Sequence, residues 1–171
     1  DERCVPPTDS ESNYKMTKEH LFDKINIPQN NIFRIKGENS PENEAEVYGD
    51  LLNQEIKVVN GVPAFDIVIL GMGDDGHTAS IFPHEIELWN SNNNCVAATH
   101  PETGQKRVSL TGKVINAANN VVFLVTGENK ADKIREIIEH PEESEKKYPA
   151  ALAQPESDNL LWFLDEKAAG K

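Results

Sequence analysis

Two stretches of this chain, FDIVILG (65–71) and NVVFLVTG (120–127), are near-continuous apolar runs that stop at a glycine. A strand with one wet face alternates apolar and polar residues. An unbroken apolar run instead marks a strand covered on both faces, as in a parallel sheet. Helical patterns surround these runs. Residues 13–25 carry Tyr14, Met16, Leu21, Phe22 and Ile25 on one stripe, and Pro28 ends the pattern. Ser40-Pro41 supplies an N-cap followed by proline at the first helical position, opening a helix that runs to about Ile56. Its acidic residues Glu42, Glu44 and Glu46 fall in the first turns, where the helix dipole favours them. NKADKIREIIEH follows the second apolar run and places Ala131, Ile134, Ile137 and Ile138 on one face. Further strands are expected at IFRI (32–35), VAATH (96–100), RVSLT (107–111) and LLWFLDE (160–166), with a short helix over 111–120. Strands alternating with helices specify one α/β domain over 1–171 with a mainly parallel sheet.

Composition narrows what such a domain can bind. Lysine and arginine number 17 against 29 aspartate and glutamate residues, for a net charge of −12. That field repels nucleic acid and anionic membranes, so an anionic substrate needs a local cluster of positive charge. No run of about 18 apolar residues is present to span a membrane. Cys4 and Cys95 are the only cysteines and show no metal-ligand spacing, which reads as two reduced, buried thiols in a cytosolic protein. The chain opens on Asp1-Glu2-Arg3 without a Met, a signal peptide or a strand before it, and the expectation is that an N-terminal portion is absent.

In a parallel α/β sheet, ligands bind beyond the carboxyl ends of the strands. The loops after Gly71 and Gly127 therefore converge on one crevice. The first reads GMGDDGHTASIFP. Gly71, Gly73 and Gly76 let backbone and ligand approach closely, and their amides can form an anion-binding nest. The G-x-G-x-x-G spacing suggests a dinucleotide, but Asp74 and Asp75 repel a pyrophosphate and Pro83 interrupts the helix that the motif requires. His77 is the more telling residue, because an imidazole can take a proton from water near neutrality and return it. Asp74 or Asp75 can orient its ring; the alternative is a histidine that merely ties the loop together. His20, His84, His100 and His140 lack ligand spacing, so neither a metal nor another cofactor is expected. Arg107 begins a strand, and Lys130 sits at a helix start, against the dipole, where a lysine suits an anion shared with backbone amides. A guanidinium and an ammonium together make a phosphate clamp.

GMGDDGHTASIFP resembles the signature loop of 6-phosphogluconolactonases, in the sugar-phosphate family that also holds glucosamine-6-phosphate deaminases and isomerases. DERCVPPTDSESNY, RVSLT, VTGENKA and YPAALAQP are similar to further family segments in the same order, so the resemblance runs from Asp1 to about Glu166. It implies a Rossmann-like sheet flanked by helices, of the sugar-phosphate isomerase/deaminase type. It also implies hydrolysis of 6-phospho-D-glucono-1,5-lactone, with His77 as base and Arg107 and Lys130 on the sugar phosphate. Asp1, Arg3 and Asn13 would form the polar rim, and Gly71, Gly73, Asp75 and Gly76 the loop against the substrate. In deaminases the segment after the histidine carries a glutamate; TASIFP has no acid, which favours lactone hydrolysis. Family members also carry, upstream of DER, a first strand and a phosphate loop that this chain does not contain. The alternatives are an amino-sugar phosphate deaminase or isomerase, a non-catalytic sugar-phosphate sensor, and a nucleotide-binding domain. A cytoplasmic enzyme, monomeric or a small homo-oligomer, whose partner is its phosphorylated sugar lactone is the expectation.

Overall fold

The computed structural model describes residues 1–171. In chain order the elements are β1 (Glu2–Arg3), α1 (Asn13–His20), α2 (Pro41–Glu55), β2 (Val58–Val59), β3 (Val62–Pro63) and β4 (Val68–Leu70). They continue with β5 (Cys95–Thr99), β6 (Lys106–Leu110), α3 (Gly112–Asn116), β7 (Val121–Val125), α4 (Ala131–Glu139), α5 (Pro141–Ser144) and β8 (Leu160–Leu164).

The two apolar runs do form neighbouring parallel strands. β4, β7 and β8 make a parallel sheet in the order β4-β7-β8, with Leu70 opposite Phe123 and Phe123 opposite Trp162. One face carries Val68, Leu70, Val121, Phe123 and Val125 into the main core, against Ile134 and Ile137 of α4 and the alanines at 150, 151 and 153. The rings of Phe123 and Trp162 stack there at 4.0 Å, nearly parallel. The intervening residues Ile69, Leu124, Leu161 and Phe163 are exposed. Strands covered on both faces were the expectation from the unbroken runs; within residues 1–171 no element packs on the second face, so only alternate side chains are buried.

β1, β6 and β5 form a separate antiparallel sheet in the order β1-β6-β5. VAATH and RVSLT thus pair with each other around the Pro101/Gly104 turn and take no part in the parallel sheet. β1 adds to this hairpin with Arg3 opposite Arg107, a register that matters below. A second, smaller core fills the space between this sheet and α2, from Ala45 and Leu52 to Cys95, Val108 and Val114.

Several local expectations change. IFRI is not a strand: Lys36 donates its amide to the carboxylate of Glu44 at 2.7 Å, and Asn39 donates its side-chain amide to the same carboxylate at 2.7 Å. A side chain of α2 therefore takes the place of a ladder partner, and Glu44 is buried instead of serving the helix dipole from the surface. The helix expected over 13–25 ends at His20 and gives way to a 3-10 turn, Phe22–Lys24, because Leu21 leaves helical angles. Its start is capped by Ser12, whose hydroxyl accepts from the Lys15 amide at 3.1 Å. The helix over 111–120 shortens to α3, and FDIVILG contributes only three residues to β4. Pro83 begins 3-10 turns over Pro83–Asn90 that bury Trp89. Both cysteines are free; burial pushes the Cys95 thiol up to about 12, whereas Cys4 is only half-buried.

Candidate active site

Because β4 and β7 are parallel neighbours, their carboxyl ends deliver the 71–77 loop and the Gly127 loop to the same edge. The first loop closes on its own backbone. The Gly73 amide donates to the His77 carbonyl at 2.9 Å, and the Gly76 amide to the Gly73 carbonyl at 3.0 Å. Gly76 sits at φ +86°, and a Cβ there would lie 2.5 Å from the Tyr148 ring. The Thr78 hydroxyl donates to the Gly71 carbonyl at 2.8 Å and ties the loop's exit to its entry.

These backbone contacts hold the loop together, so the His77 ring is not needed for that purpose. Its Nδ1 lies 2.7 Å from Asp75 Oδ1, which also accepts the His77 amide at 3.0 Å. A carboxylate only accepts, so Nδ1 carries a proton; in the neutral ring the lone pair of Nε2 is then left without a protein partner. Phe82, fully buried, supports the ring from behind with centroids 4.6 Å apart. Gly73 gives the ring its place: a Cβ at that residue would lie 2.2 Å from two imidazole atoms. Burial pushes the Asp75 carboxyl up, but the hydrogen bonds from the His77 ring and amide outweigh it, and its pKa is lowered.

The ring opens on a cleft of about 320 Å³ that also takes in Asp1, Arg3, Asn13, Gly71, Gly73 and Arg107. Most of the residues singled out in the sequence are therefore gathered around His77. The two arginines are directly opposite each other across the β1–β6 ladder. Arg3 donates from one terminal nitrogen to the Glu11 carbonyl at 2.6 Å, yet its Nε is buried without a partner, as is that of Arg107. Burial, and then the charge of Arg3 beside it, lower the pKa of the Arg107 guanidinium. Like charges directly opposite on a ladder are destabilising, and buried donors without acceptors cost more. A cleft that keeps both is suited to an anion.

Lys130 stands elsewhere. It is the residue before α4, and its ammonium reaches back 2.6 Å to Asp74 Oδ1, bridging the two glycine loops. This contact holds the Asp74 carboxyl below its usual value. Lys130 is not part of the cleft lining, and it pairs with Asp74 instead of standing beside Arg107 as the expected clamp requires. No three His, Cys, Asp or Glu side chains come together to hold a metal ion. A larger, mostly apolar cavity of about 530 Å³ adjoins the cleft and shares Asp1 and Asn13 with it.

Two residues at the site gave no signal in the sequence. Glu2 is buried between two candidate rim residues, and its carboxylate accepts four hydrogen bonds, from the amides of Arg3, Asn13 and Tyr14 and the hydroxyl of Ser12, at 2.7 to 3.0 Å. It thereby docks the start of α1 on β1. Ser80, wholly buried, donates its hydroxyl to Asp1 Oδ2 at 2.8 Å.

A model of the family described as glucosamine-6-phosphate isomerases/6-phosphogluconolactonase matches residues 1–162. The chain belongs to this family. It is 50% identical over 144 residues to the 6-phosphogluconolactonase of Treponema pallidum, covering 84% of this chain and 60% of that protein. With the 6-phosphogluconolactonase of Haemophilus influenzae it shares 48% identity over 168 residues, 98% of this chain and 70% of that protein. The crystal structure of devB protein superposes with a TM-score of 0.93 at 46% identity, covering 99% of this chain and 70% of that one. The chain thus spans 60% to 70% of the length of these relatives. Its α/β fold is the fold of the family, and no helix in it is long and apolar enough to cross a membrane.

Proposed function

We propose that this chain carries the active site of a 6-phosphogluconolactonase, hydrolysing 6-phospho-D-glucono-1,5-lactone to 6-phosphogluconate in the pentose phosphate pathway. The observation that carries the reading is the Asp75–His77 pair at the mouth of a cleft lined by two guanidinium groups whose Nε atoms are buried without a partner. The names of the relatives from Treponema pallidum and Haemophilus influenzae support it. So does the absence of an acidic residue in the TASIFP segment, since an aldose–ketose isomerisation needs a further acid–base group there.

The chemistry follows from the geometry. His77 Nε2 accepts a proton from water while the water oxygen bonds to C1 of the lactone. The imidazolium that results is stabilised by Asp75 at Nδ1. The C1–ring-oxygen bond then breaks, and Nε2 returns the proton to the departing oxygen. One water is consumed, a carboxylic acid and a hydroxyl appear, and the histidine is restored. Arg3 and Arg107 hold the 6-phosphate, so that C1 is placed against the activated water. Lys130 joins the phosphate from the rim by exchanging part of its contact with Asp74. We further propose that the enzyme works in the cytoplasm, where its substrate is made.

The test is direct. His77→Ala in the complete protein should leave the fold intact and reduce lactone hydrolysis, followed by coupling to 6-phosphogluconate dehydrogenase, by at least about 10³-fold above the spontaneous rate. Undiminished turnover in that variant overturns the mechanism. Release of ammonia from glucosamine 6-phosphate by the unaltered protein overturns the choice of reaction.

A further inference from the structure

We propose that Ser80 is a positioning residue, which fixes the Asp1 carboxylate at the cleft rim as the acceptor for the ring hydroxyls of the substrate. The proposal rests on the reading of the cleft as a sugar-phosphate lactone site and adds to it how that site tells hydroxyls from phosphate.

Ser80 is wholly buried, and Asp1 is exposed at the cleft. The direction of the contact between them is set by the carboxylate, which can only accept: the Ser80 hydroxyl donates to Asp1 Oδ2 at 2.8 Å. Its backbone is held from behind, where the Ser109 hydroxyl accepts the Ser80 amide at 3.0 Å and itself donates to the Leu110 carbonyl at 3.0 Å. Asn13 donates to the same oxygen at 3.4 Å and to the Asp1 carbonyl at 3.1 Å. Both side-chain donors thus grip one oxygen, and Oδ1 keeps its lone pairs for a ligand.

The backbone is bent to make this possible. Ala79 adopts φ +49°, a left-handed conformation disfavoured for any residue with a Cβ. It lies between two fully buried residues. Thr78 is tied to Gly71, and the Ile81 amide closes the turn on the Thr78 carbonyl at 3.0 Å. The turn sends His77 to the cleft and Ser80, three positions on, to the Asp1 carboxylate that lines it. The base and the carboxylate rim are thereby held in a fixed relation, although β1 and this loop are far apart in the chain.

The chemistry of an acceptor-only group defines its ligand. A carboxylate repels the phosphate and accepts from neutral hydroxyls. Arg3, Arg107 and Asp1 all line the cleft, so the phosphate end of the lactone is drawn to the two guanidinium groups and its hydroxyls to the carboxylate. A carboxylate free to rotate would lose part of that preference, so Ser80 acts through Asp1 on substrate binding and placement.

The experiment is a double-mutant cycle in the complete protein: Ser80→Ala, Asp1→Asn and both together, with kcat and KM for 6-phospho-D-glucono-1,5-lactone measured against the spontaneous rate. Each single change should lower kcat/KM by about 5- to 30-fold, mainly through KM, as expected for one hydrogen bond to a charged group. The double variant should be no worse than Asp1→Asn within twofold. Ser80→Cys, which keeps the shape with a weaker donor, should fall between the unaltered protein and Ser80→Ala. Independent, multiplying losses would overturn the proposal, because Ser80 would then serve the fold and not Asp1. If the unaltered protein fails to hydrolyse the lactone, the hydrolase reading itself is refuted. The cycle is then read in the calorimetric dissociation constant for 6-phosphogluconate, with the same two outcomes.

Discussion

Replacing Asp75 by Asn separates the two things that this carboxylate does. The amide oxygen can still accept the His77 backbone N–H, now at 3.0 Å, so the loop should keep its shape. What disappears is the negative charge 2.7 Å from Nδ1, which the proposed mechanism uses when the ring becomes an imidazolium. Two unit charges about 4 Å apart interact by roughly 1 kcal/mol in water and about 4 kcal/mol near a protein surface. The side chains of His77 and Asp75 are 29% and 42% exposed, so solvent screens the pair and the lower part of that range applies. A loss of about 1 to 3 kcal/mol in the transition state corresponds to about a 5- to 150-fold fall in kcat. KM should change less than about threefold, because in the proposed mode of binding the phosphate is anchored at Arg3 and Arg107, which the substitution leaves in place. The coupled lactonase assay, corrected for spontaneous hydrolysis, measures both. A variant with unaltered kcat, or with the whole loss in KM, would refute the assignment of Asp75 to the imidazolium. Stability supplies a second reading with a definite sign. The Asp75 pKa is lowered in the folded protein, so its contribution is present above the unfolded value of about 3.9 and is lost as pH falls through the folded one. Asp75→Asn should therefore flatten the acid side of the stability curve below about pH 4 and leave the slope at neutral pH unchanged.

Gly73→Ala should expel the imidazole from its place, since the new Cβ would lie 2.2 Å from Nδ1 and Cε1; the expected result is a loss of about 10²-fold in kcat with the circular-dichroism spectrum retained. Arg107→Gln removes one of two opposed cations whose Nε groups lack partners, and should raise the thermal midpoint of the ligand-free protein slightly, by an equivalent of about 0.2–1 kcal/mol, while abolishing most of the stabilisation by inorganic phosphate in a thermal-shift titration.

The parts of this site that the sequence disclosed are the parts that one local segment determines. The glycine spacing around His77, the carboxylate two residues before it and the apolar run leading into it are all contiguous, and a short loop can satisfy them without help. The fold class was legible for the same reason, as the runs ending at Gly71 and Gly127 need only their own composition to declare strands. What remained hidden depends on partners remote in the chain. IFRI has the pattern of a strand, but the buried carboxylate of Glu44, on another element, captures the Lys36 amide. Asp-Glu-Arg looks like a polar stub until Glu2 collects the amide donors at the start of α1. Ser80 is an ordinary small polar residue between alanine and isoleucine, and nothing in its neighbours reveals a hydroxyl aimed at Asp1. Lys130 shows the converse. Its position before α4 suggests an anion site, and the anion that it meets in the folded chain is Asp74, from the adjoining loop.

The division of labour between the two sheets explains why the site lies where it does. The parallel sheet alone would supply an imidazole and a loop of amides, with the ammonium of Lys130 already committed to Asp74. The antiparallel sheet alone would carry Arg3 and Arg107 side by side with their charges opposed and their Nε groups unsatisfied. Each arrangement is unfavourable or inert by itself. Between them run the contacts of the 77–82 turn: Ser80 reaches Asp1 on β1's edge and Ser109 on β6, and Thr78 holds Gly71 at the end of β4. A turn with one left-handed alanine therefore sets the distance between the His77 imidazole and the two arginines. In the proposed lactone hydrolysis, placement of C1 against the His77 ring is the main thing that the protein adds, and this turn is where the fold would supply it.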